Sequence, residues 1–404
     1  MATTSPSDAY ALSDDQVAFR DTIRQIVRER VEPRAAEIDA KGEYPWDLRR
    51  LFAEQDLLGL PFDTEYGGTG TGALTLNLAI EEIAKACASS ALILMVQELG
   101  TLPIRLFGSD ELKTRFLPMC ASGEWSPAFA LSEPEAGSDP GGMITSARRD
   151  GDGWVINGTK NWITNLGIAD FYVVFAVTSR GDAGDGLDRE GGGATGTRGR
   201  AVSRRISAFV VEADRPGFSV GKVEHKLGIK GAPTGQPIFE DVRVPHENLI
   251  GTEGNGLSVA LRTLDHSRLG VAAQAVGLAQ GATDYAAAYA RERKQFGKPI
   301  SEFQAIQFKL ADMETRTAAA RELLYKACAK VDRHEPDMGK YSAMAKLFAS
   351  DTAMAVTIEG VQVLGGYGYV SEYPVERFMR DAKITQIYEG TNEIQRLVIA
   401  RTLR

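Results

Sequence analysis

The chain has 404 residues, 46 of them Lys or Arg and 54 Asp or Glu, for a formal net charge of −8 with 43% hydrophobic and 25% charged residues. This is an ordinary globular balance with room for roughly two or three domains. The excess of acid argues against a nucleic-acid binder, whose affinity rests on neutralising phosphates. The uninterrupted apolar runs, such as 91–96, span about six residues, short of the ~20 that a bilayer span requires, so no membrane insertion is expected.

The first eight residues have no basic start and no apolar core, so no secretory signal is read there. Cys87, Cys120 and Cys328 are odd in number and widely spaced, and His225, His246, His266 and His334 show no metal-ligand spacing. Both sets read as structural, with no metal, in a reducing cytoplasmic setting.

Residues 13 to 125 read as helical. Ser13 or Asp14 can cap a first helix whose face carries Val17, Ile23, Ile26 and Val27, and the segments 74–87 and 91–107 are rich in helix formers. Gly67, Gly68 and Gly70 interrupt the pattern and Gly123 ends it. From about 128 to 250 the texture changes to short β runs at 171–177, 206–212 and 238–244, and Asn157-Gly158 reads as a turn joining strands at 154–158 and 160–164. The Gly- and Arg-rich stretch 179–205 has almost nothing to bury and reads as a mobile loop between two strands.

Beyond 253 the chain is helical again. Val271, Ala275, Leu278, Ala282, Tyr285 and Tyr289 form one stripe, and Phe303, Ile306, Leu310, Met313, Ala320 and Leu324 a second. Such 3–4 spacing is the seam of helices packed nearly antiparallel. The fold class expected is α+β: an N-terminal α-helical domain (1–127), a central small β-barrel domain (128–252) and a C-terminal four-helix bundle (253–404).

No P-loop and no dinucleotide fingerprint between a strand and a helix occurs. Five segments stand out: Leu131-Ser132-Glu133-Pro134-Glu135-Ala136-Gly137-Ser138-Asp139, Trp162-Ile163-Thr164-Asn165, Arg293-Lys294-Gln295-Phe296-Gly297, Gln362-Val363-Leu364-Gly365-Gly366 and Ile387-Tyr388-Glu389-Gly390-Thr391. Taken singly each has an ordinary reading; the third, for example, is a basic helix C-terminus with its glycine cap. Taken together, in this order, they resemble the acyl-CoA dehydrogenase family over nearly the whole chain, with the short- and medium-chain branch the nearest likeness.

The resemblance implies FAD-dependent α,β-dehydrogenation of a saturated acyl-CoA to the trans-2-enoyl-CoA, with electrons passed to an electron-transferring flavoprotein, in a homotetramer. It implies that Glu389 is the base, its backbone N–H also serving the thioester oxyanion. A carboxylate desolvated by an entering acyl chain becomes a better base. The same likeness assigns flavin contacts to Phe129, Leu131, Ser132, Trp162, Ile163 and Thr164, with Trp162 a buried aromatic against the ring. It assigns contacts to a neighbouring subunit's FAD to Arg293, Gln295, Phe296, Phe303 and Gln304, and adenine-side contacts to Gln362, Val363, Gly365 and Gly366. Thr391 and Glu393 complete the cofactor set. Ser138, Asp265, Arg268, Tyr388 and Gly390 are the implied substrate contacts. The glutamate in the 387–391 turn speaks against the isovaleryl-type branch, and the lack of arginine in 86–103 against a dicarboxylate substrate. Alternatives are an acyl-CoA oxidase ending in oxygen, a non-catalytic flavin- or CoA-binding scaffold, and a fold-related flavin monooxygenase.

Overall fold

The computed structural model describes residues 12–181 and 203–404. The N-terminal stretch read for a targeting signal and most of the Gly/Arg-rich stretch lie outside the described residues.

Helix α1 (Asp14–Ile26) begins at a reciprocal cap: Ser13 Oγ accepts the Gln16 N–H at 3.2 Å while Gln16 Oε1 accepts the Ser13 N–H at 3.0 Å. Then follow α2 (Ala35–Lys41), α3 (Trp46–Glu54), α4 (Gly72–Ala84), α5 (Ala88–Phe107) and α6 (Asp110–Ala121). Helix α5 has the length and mean hydropathy (1.3) of a bilayer span, but it is mostly buried inside the protein and serves as a core helix.

The β region comprises β1 (Pro127–Ala130), β2 (Ser146–Asp150), β3 (Gly153–Thr159), β4 (Ile163–Thr164), β5 (Phe171–Gly181), β6 (Ser203–Glu212), β7 (Phe218–Val223), β8 (Thr234–Pro245) and β9 (Leu249–Ile250). They form one sheet in the order β4-β8-β3-β2-β5-β6-β9, with β1 added parallel to β5 and β7 antiparallel to β8. Strand periodicity gives β5 two buried faces. Tyr172, Val174 and Ala176 join Trp154, Phe209 and Phe239 in a core inside the curled sheet. Phe171, Val173, Phe175 and Val177 turn outward onto Phe116, Leu117 and Leu264 of the helices.

Two expectations are corrected here. Asn157-Gly158 is no hairpin turn: β3 runs through it, both β3 and β4 pair with β8, and the register shifts at Ile156/Gly158. Asn157 Oδ1 instead accepts the Asp241 N–H at 2.9 Å across the bulge. The expected loop 179–205 is shorter at both ends, because Ser179↔Arg205, Arg180↔Arg204 and Gly181↔Ser203 continue the β5–β6 ladder.

The remainder is helical: α7 (Gly256–Glu292), a two-strand ribbon of β10 (Lys294–Gln295) and β11 (Lys298–Pro299), α8 (Gln304–Asp332), α9 (Met338–Leu364), α10 (Val375–Thr385) and α11 (Asn392–Arg401). Helices α7, α8, α9 and α10 pack as the bundle. Val271, Ala275, Leu278 and Ala282 of the first stripe are wholly buried. Gly277 and Gly281 let α7 close on the end of α4: an added Cβ would stand 2.3 Å from the carbonyl oxygens of Glu81 and Lys85. The 293–297 segment is the tip of a ribbon rather than a glycine-capped helix end. Its turn is carried by Phe296 (φ +51°) and Gly297 (φ +82°), both left-handed.

Candidate active site

Glu389 lies in the short turn between α10 and α11. It holds φ +53° and is followed by Gly390 at +92°. Left-handed backbone in a non-glycine residue is strained and persists only where its surroundings over-determine it. Those surroundings are visible. The Glu389 carbonyl accepts from Arg268 Nε and from Gln395 Nε2, both at 3.3 Å. The Gly390 carbonyl accepts from Gln395 Nε2 at 2.7 Å and Lys346 Nζ at 2.9 Å. Tyr388 donates its hydroxyl to Gln274 Oε1, which fixes the residue before Glu389.

The Glu389 carboxylate points at α7, where Ser267 Oγ donates to Oε2 at 2.5 Å. Burial raises its pKa, while the Ser267 hydrogen bond and the Arg268 and Lys346 cations hold the rise in check. Arg268, 3% exposed, pairs with Asp265 at 2.7 Å on the same helix face. The implied base and the implied substrate pair therefore meet on one turn of α7. Ser267, Lys346, Gln274 and Gln395 also belong to this site. Ser267 stands between two singled-out residues in the sequence, and the others carry no local signal.

A further carboxylate faces this site from α5. Met95 packs near Gly270 and Phe107 under Arg262, so α5 runs antiparallel to α7 and Glu98 falls close to the level of Arg268. Burial pushes the Glu98 pKa up to about 7, with Arg105 opposing and Glu389 and Asp332 assisting. A carboxyl whose folded pKa exceeds its unfolded value contributes stability that is full below the unfolded pKa and is lost as pH rises toward about 7. Glu98→Gln is expected to raise the melting temperature at pH 8, by an effect of at most roughly 3 kcal/mol, and to leave it nearly unchanged at pH 5. Thermal unfolding at the two pH values checks this.

The segment around 131–164 builds a second part. Leu131 is buried and Ser132 partly so; the Leu131 carbonyl accepts from Lys160 Nζ at 3.0 Å and the Ser132 carbonyl from the Asn161 N–H at 2.9 Å. Lys160, wholly buried, also donates to Glu133 Oε1 at 2.8 Å, and the Glu133 carboxylate accepts the N–H groups of Ile144 and Thr145. Phe129 packs its ring 5.1 Å from Phe175. Leu131 shares a hydrophobic cluster with Leu264, beside Asp265 on α7. Trp162, just before β4, is 59% exposed within this chain, while the next residue, Ile163, is buried. Its backbone holds φ +62°, with its N–H on Asn161 Oδ1. Thr164 is partly buried and Ser138 exposed.

The third part is an open cavity of ≈ 720 Å³ at the far end of α7. Arg293, Gln295, Phe296, Val363, Gly365 and Gly366, six residues from two separate motifs, line it together with Phe303, Tyr289 and Tyr367. Arg293 lies over the Tyr367 ring at 5.3 Å, and Phe296 is 93% exposed. An added Cβ on Gly365 or Gly366 would meet nothing within 4 Å, so none of the described residues covers the open face beside them. An arginine, exposed aromatics and bare glycine backbone suit a ligand with both phosphate and planar rings. Gln304 and Gln362 are exposed and do not line this cavity; Thr391 stands at the N-cap position of α11 without a side-chain capping bond, and Glu393 lies in its first turn. The structure thus does not bring the two expected flavin-contacting groups together within one chain. Arg293 follows Arg268 by 25 positions along α7, roughly 37 Å at 1.5 Å per residue.

The chain matches three successive family models: acyl-CoA dehydrogenase N-terminal domain over residues 13–124, middle domain over 128–242 and C-terminal domain over 254–404. It is 48% identical to the probable acyl-CoA dehydrogenase FadE25 of Mycobacterium tuberculosis, over 98% of this chain and 97% of that protein. Among solved structures it resembles butyryl-CoA dehydrogenase from Megasphaera elsdenii (TM-score 0.90, 42% identity, 98% and 99% of the two chains). It equally resembles a chain in the structure described as the electron transferring flavoprotein of Acidaminococcus fermentans (TM-score 0.89, 42% identity, 98% and 99% covered). With this fold and likeness over its whole length, the chain belongs to the acyl-CoA dehydrogenase family and is an oxidoreductase of acyl-CoA metabolism.

Proposed function

We propose that this enzyme takes a saturated acyl-CoA of the short- to medium-chain class to its trans-2-enoyl-CoA, with Glu389 removing the α-proton. The observation that carries the reading is the Glu389 carboxylate itself, on a strained turn with Oε2 held by Ser267 at 2.5 Å. That bond leaves Oε1 as the oxygen to receive the proton. Burial makes the carboxylate a stronger base than a solvated one.

FAD, when bound, supplies the acceptor for the β-hydride at its N5. Leu131, Ser132, Phe129, Trp162, Ile163 and Thr164 hold and cover the ring, and the exposed Trp162 indole is a contact surface that this chain alone leaves open. Asp265, Arg268, Ser138, Tyr388 and Gly390 position the thioester and its CoA arm. Arg293, Gln295, Phe296, Phe303, Gln304, Gln362, Val363, Gly365 and Gly366 serve a second flavin, with Thr391 and Glu393 near the base. The separation along α7 supports a cofactor shared with a neighbouring subunit, hence a homotetramer of three-part chains (1–127, 128–252, 253–404) in the cytoplasm. The electrons taken from substrate would leave to an electron-transferring flavoprotein, a partner that the likeness to the Acidaminococcus structure supports.

The test is anaerobic. Saturated acyl-CoAs of four to twelve carbons and isobutyryl-CoA are mixed with the yellow protein and its band near ~450 nm is followed. Bleaching by a contiguous group of chain lengths is expected. A protein that stays oxidised with every thioester contradicts the reading. Rapid reoxidation by oxygen with product bound favours the oxidase instead.

A further inference from the structure

Lys346, on α9 beneath the catalytic turn, is wholly buried. Its ammonium donates to the Gly390 carbonyl and to Asn392 Oδ1, both at 2.9 Å. Neither acceptor is an anion. A buried ammonium held only by neutral oxygens is costly unless an opposite charge stands near.

The charged groups facing it can be taken in turn. Asp351, on its own helix, already accepts from Gln386 Nε2, Asn392 Nδ2 and Arg396 Nη2. Glu393, in the first turn of α11, is exposed. Arg268 reaches in from α7 and repels it. The remaining carboxylate is Glu389, whose own neighbours are Ser267 and Arg268 from α7, Glu98 from α5 and the adjoining Tyr388.

We infer that Lys346 is a positioning residue for the base: its ammonium is a buried countercharge that, beside Arg268, helps keep Glu389 ionised between turnovers, and its hydrogen bond to Gly390 holds the left-handed turn. This rests on the dehydrogenase reading above. The charge is present where it is needed. Burial brings the Lys346 pKa down to about 7, so the ammonium persists across the acid range in which a carboxylate would take up a proton. The pairing also explains why a wholly buried lysine is held by a carbonyl one residue from the base.

Two substitutions separate the charge from the hydrogen bond. Lys346→Met removes both, and Lys346→Gln keeps a donor for the Gly390 carbonyl. The anaerobic rate of flavin bleaching by butyryl-CoA is measured from pH 5 to 9 for each. Flavin content and melting temperature are recorded alongside, to report folding. In both variants the acid limb of the rate profile is expected to move upward by about one pH unit, which is about tenfold in rate on its low side. Above the limb, Lys346→Gln should approach the unsubstituted rate, while Lys346→Met stays slower. A limb that does not move in folded, yellow Lys346→Gln overturns the inference, even if the rate falls at every pH. Absence of bleaching in the unsubstituted enzyme is a different result and sinks the dehydrogenase reading itself.

Discussion

Glu389→Gln is expected to abolish thioester-dependent bleaching of the flavin while leaving the protein folded and yellow. A positioned general base contributes about 10²–10⁴ in rate, and glutamine removes that capacity with almost no change of shape. Its amide oxygen can still accept the Ser267 hydrogen bond that the carboxylate now takes. The turn does not depend on the side-chain charge, because Arg268, Gln395 and Lys346 hold the carbonyls of Glu389 and Gly390. Single-turnover reduction under anaerobic conditions measures the effect directly. A variant that retains its rate to within tenfold would mean that the α-proton goes elsewhere.

Lys160→Met should be the most damaging single change away from the base. The ammonium is wholly buried and serves three groups at once: the Glu133 carboxylate at 2.8 Å, the Leu131 carbonyl at 3.0 Å and the Met143 sulfur at 3.8 Å. Burial lowers the Lys160 pKa to about 8, and Glu133 opposes that shift. Burial would likewise raise the Glu133 pKa, but Lys160 and the Ile144 and Thr145 backbone hydrogen bonds hold it below the ordinary value. At neutral pH the pair is therefore ionic.

Removing one partner leaves a buried carboxylate without its counterion, which costs about 3–5 kcal/mol. That is a large share of the ~5–15 kcal/mol that holds a typical protein folded. Lys160→Met is expected to lower the melting temperature sharply and to release flavin, because the Leu131 carbonyl loses its anchor beside Ser132. Adding Glu133→Gln should restore part of the stability, since the orphaned charge is gone and the amide oxygen still accepts one backbone N–H. Chemical denaturation of the single and double variants, with flavin content read by absorbance, decides this. Equal stability of Lys160→Met and the unsubstituted protein would show that the pair contributes nothing.

Local chemistry made much of this protein legible from the sequence. Ser13 with Gln16 at its third helical position specifies a capping box that any helix starting there must form. The alternating aromatic and β-branched residues of 171–177 specify a strand, and the 3–4 stripes of 271–289 and 303–324 specify packed helices. These signals depend on neighbours a few residues apart, so a linear reading finds them. The 387–391 segment is legible as a helix–helix connection, because a tight turn and its glycine are sequence-local; the role of Glu389 rests on the family resemblance.

Tertiary structure decided whatever depended on distant partners. Asn157-Gly158 has the composition of a hairpin turn, yet a third strand, β8, captures both flanks and turns the pair into a bulge. The 293–297 segment ends no helix with a glycine cap, because its ribbon closes on Lys298–Pro299. Trp162 is exposed on a left-handed residue just before β4, while its neighbour Ile163 pairs with β8 and is buried. The setting of Glu389 lies furthest from sequence-local reach. Ser267, Lys346, Gln395 and Glu98 come from four helices and converge on one turn: Ser267 bonds the Glu389 carboxylate, Lys346 and Gln395 hold the turn's carbonyls, and Glu98 stands within its field. Burial and the field of those groups together set its basicity, and both arise only when the helices pack.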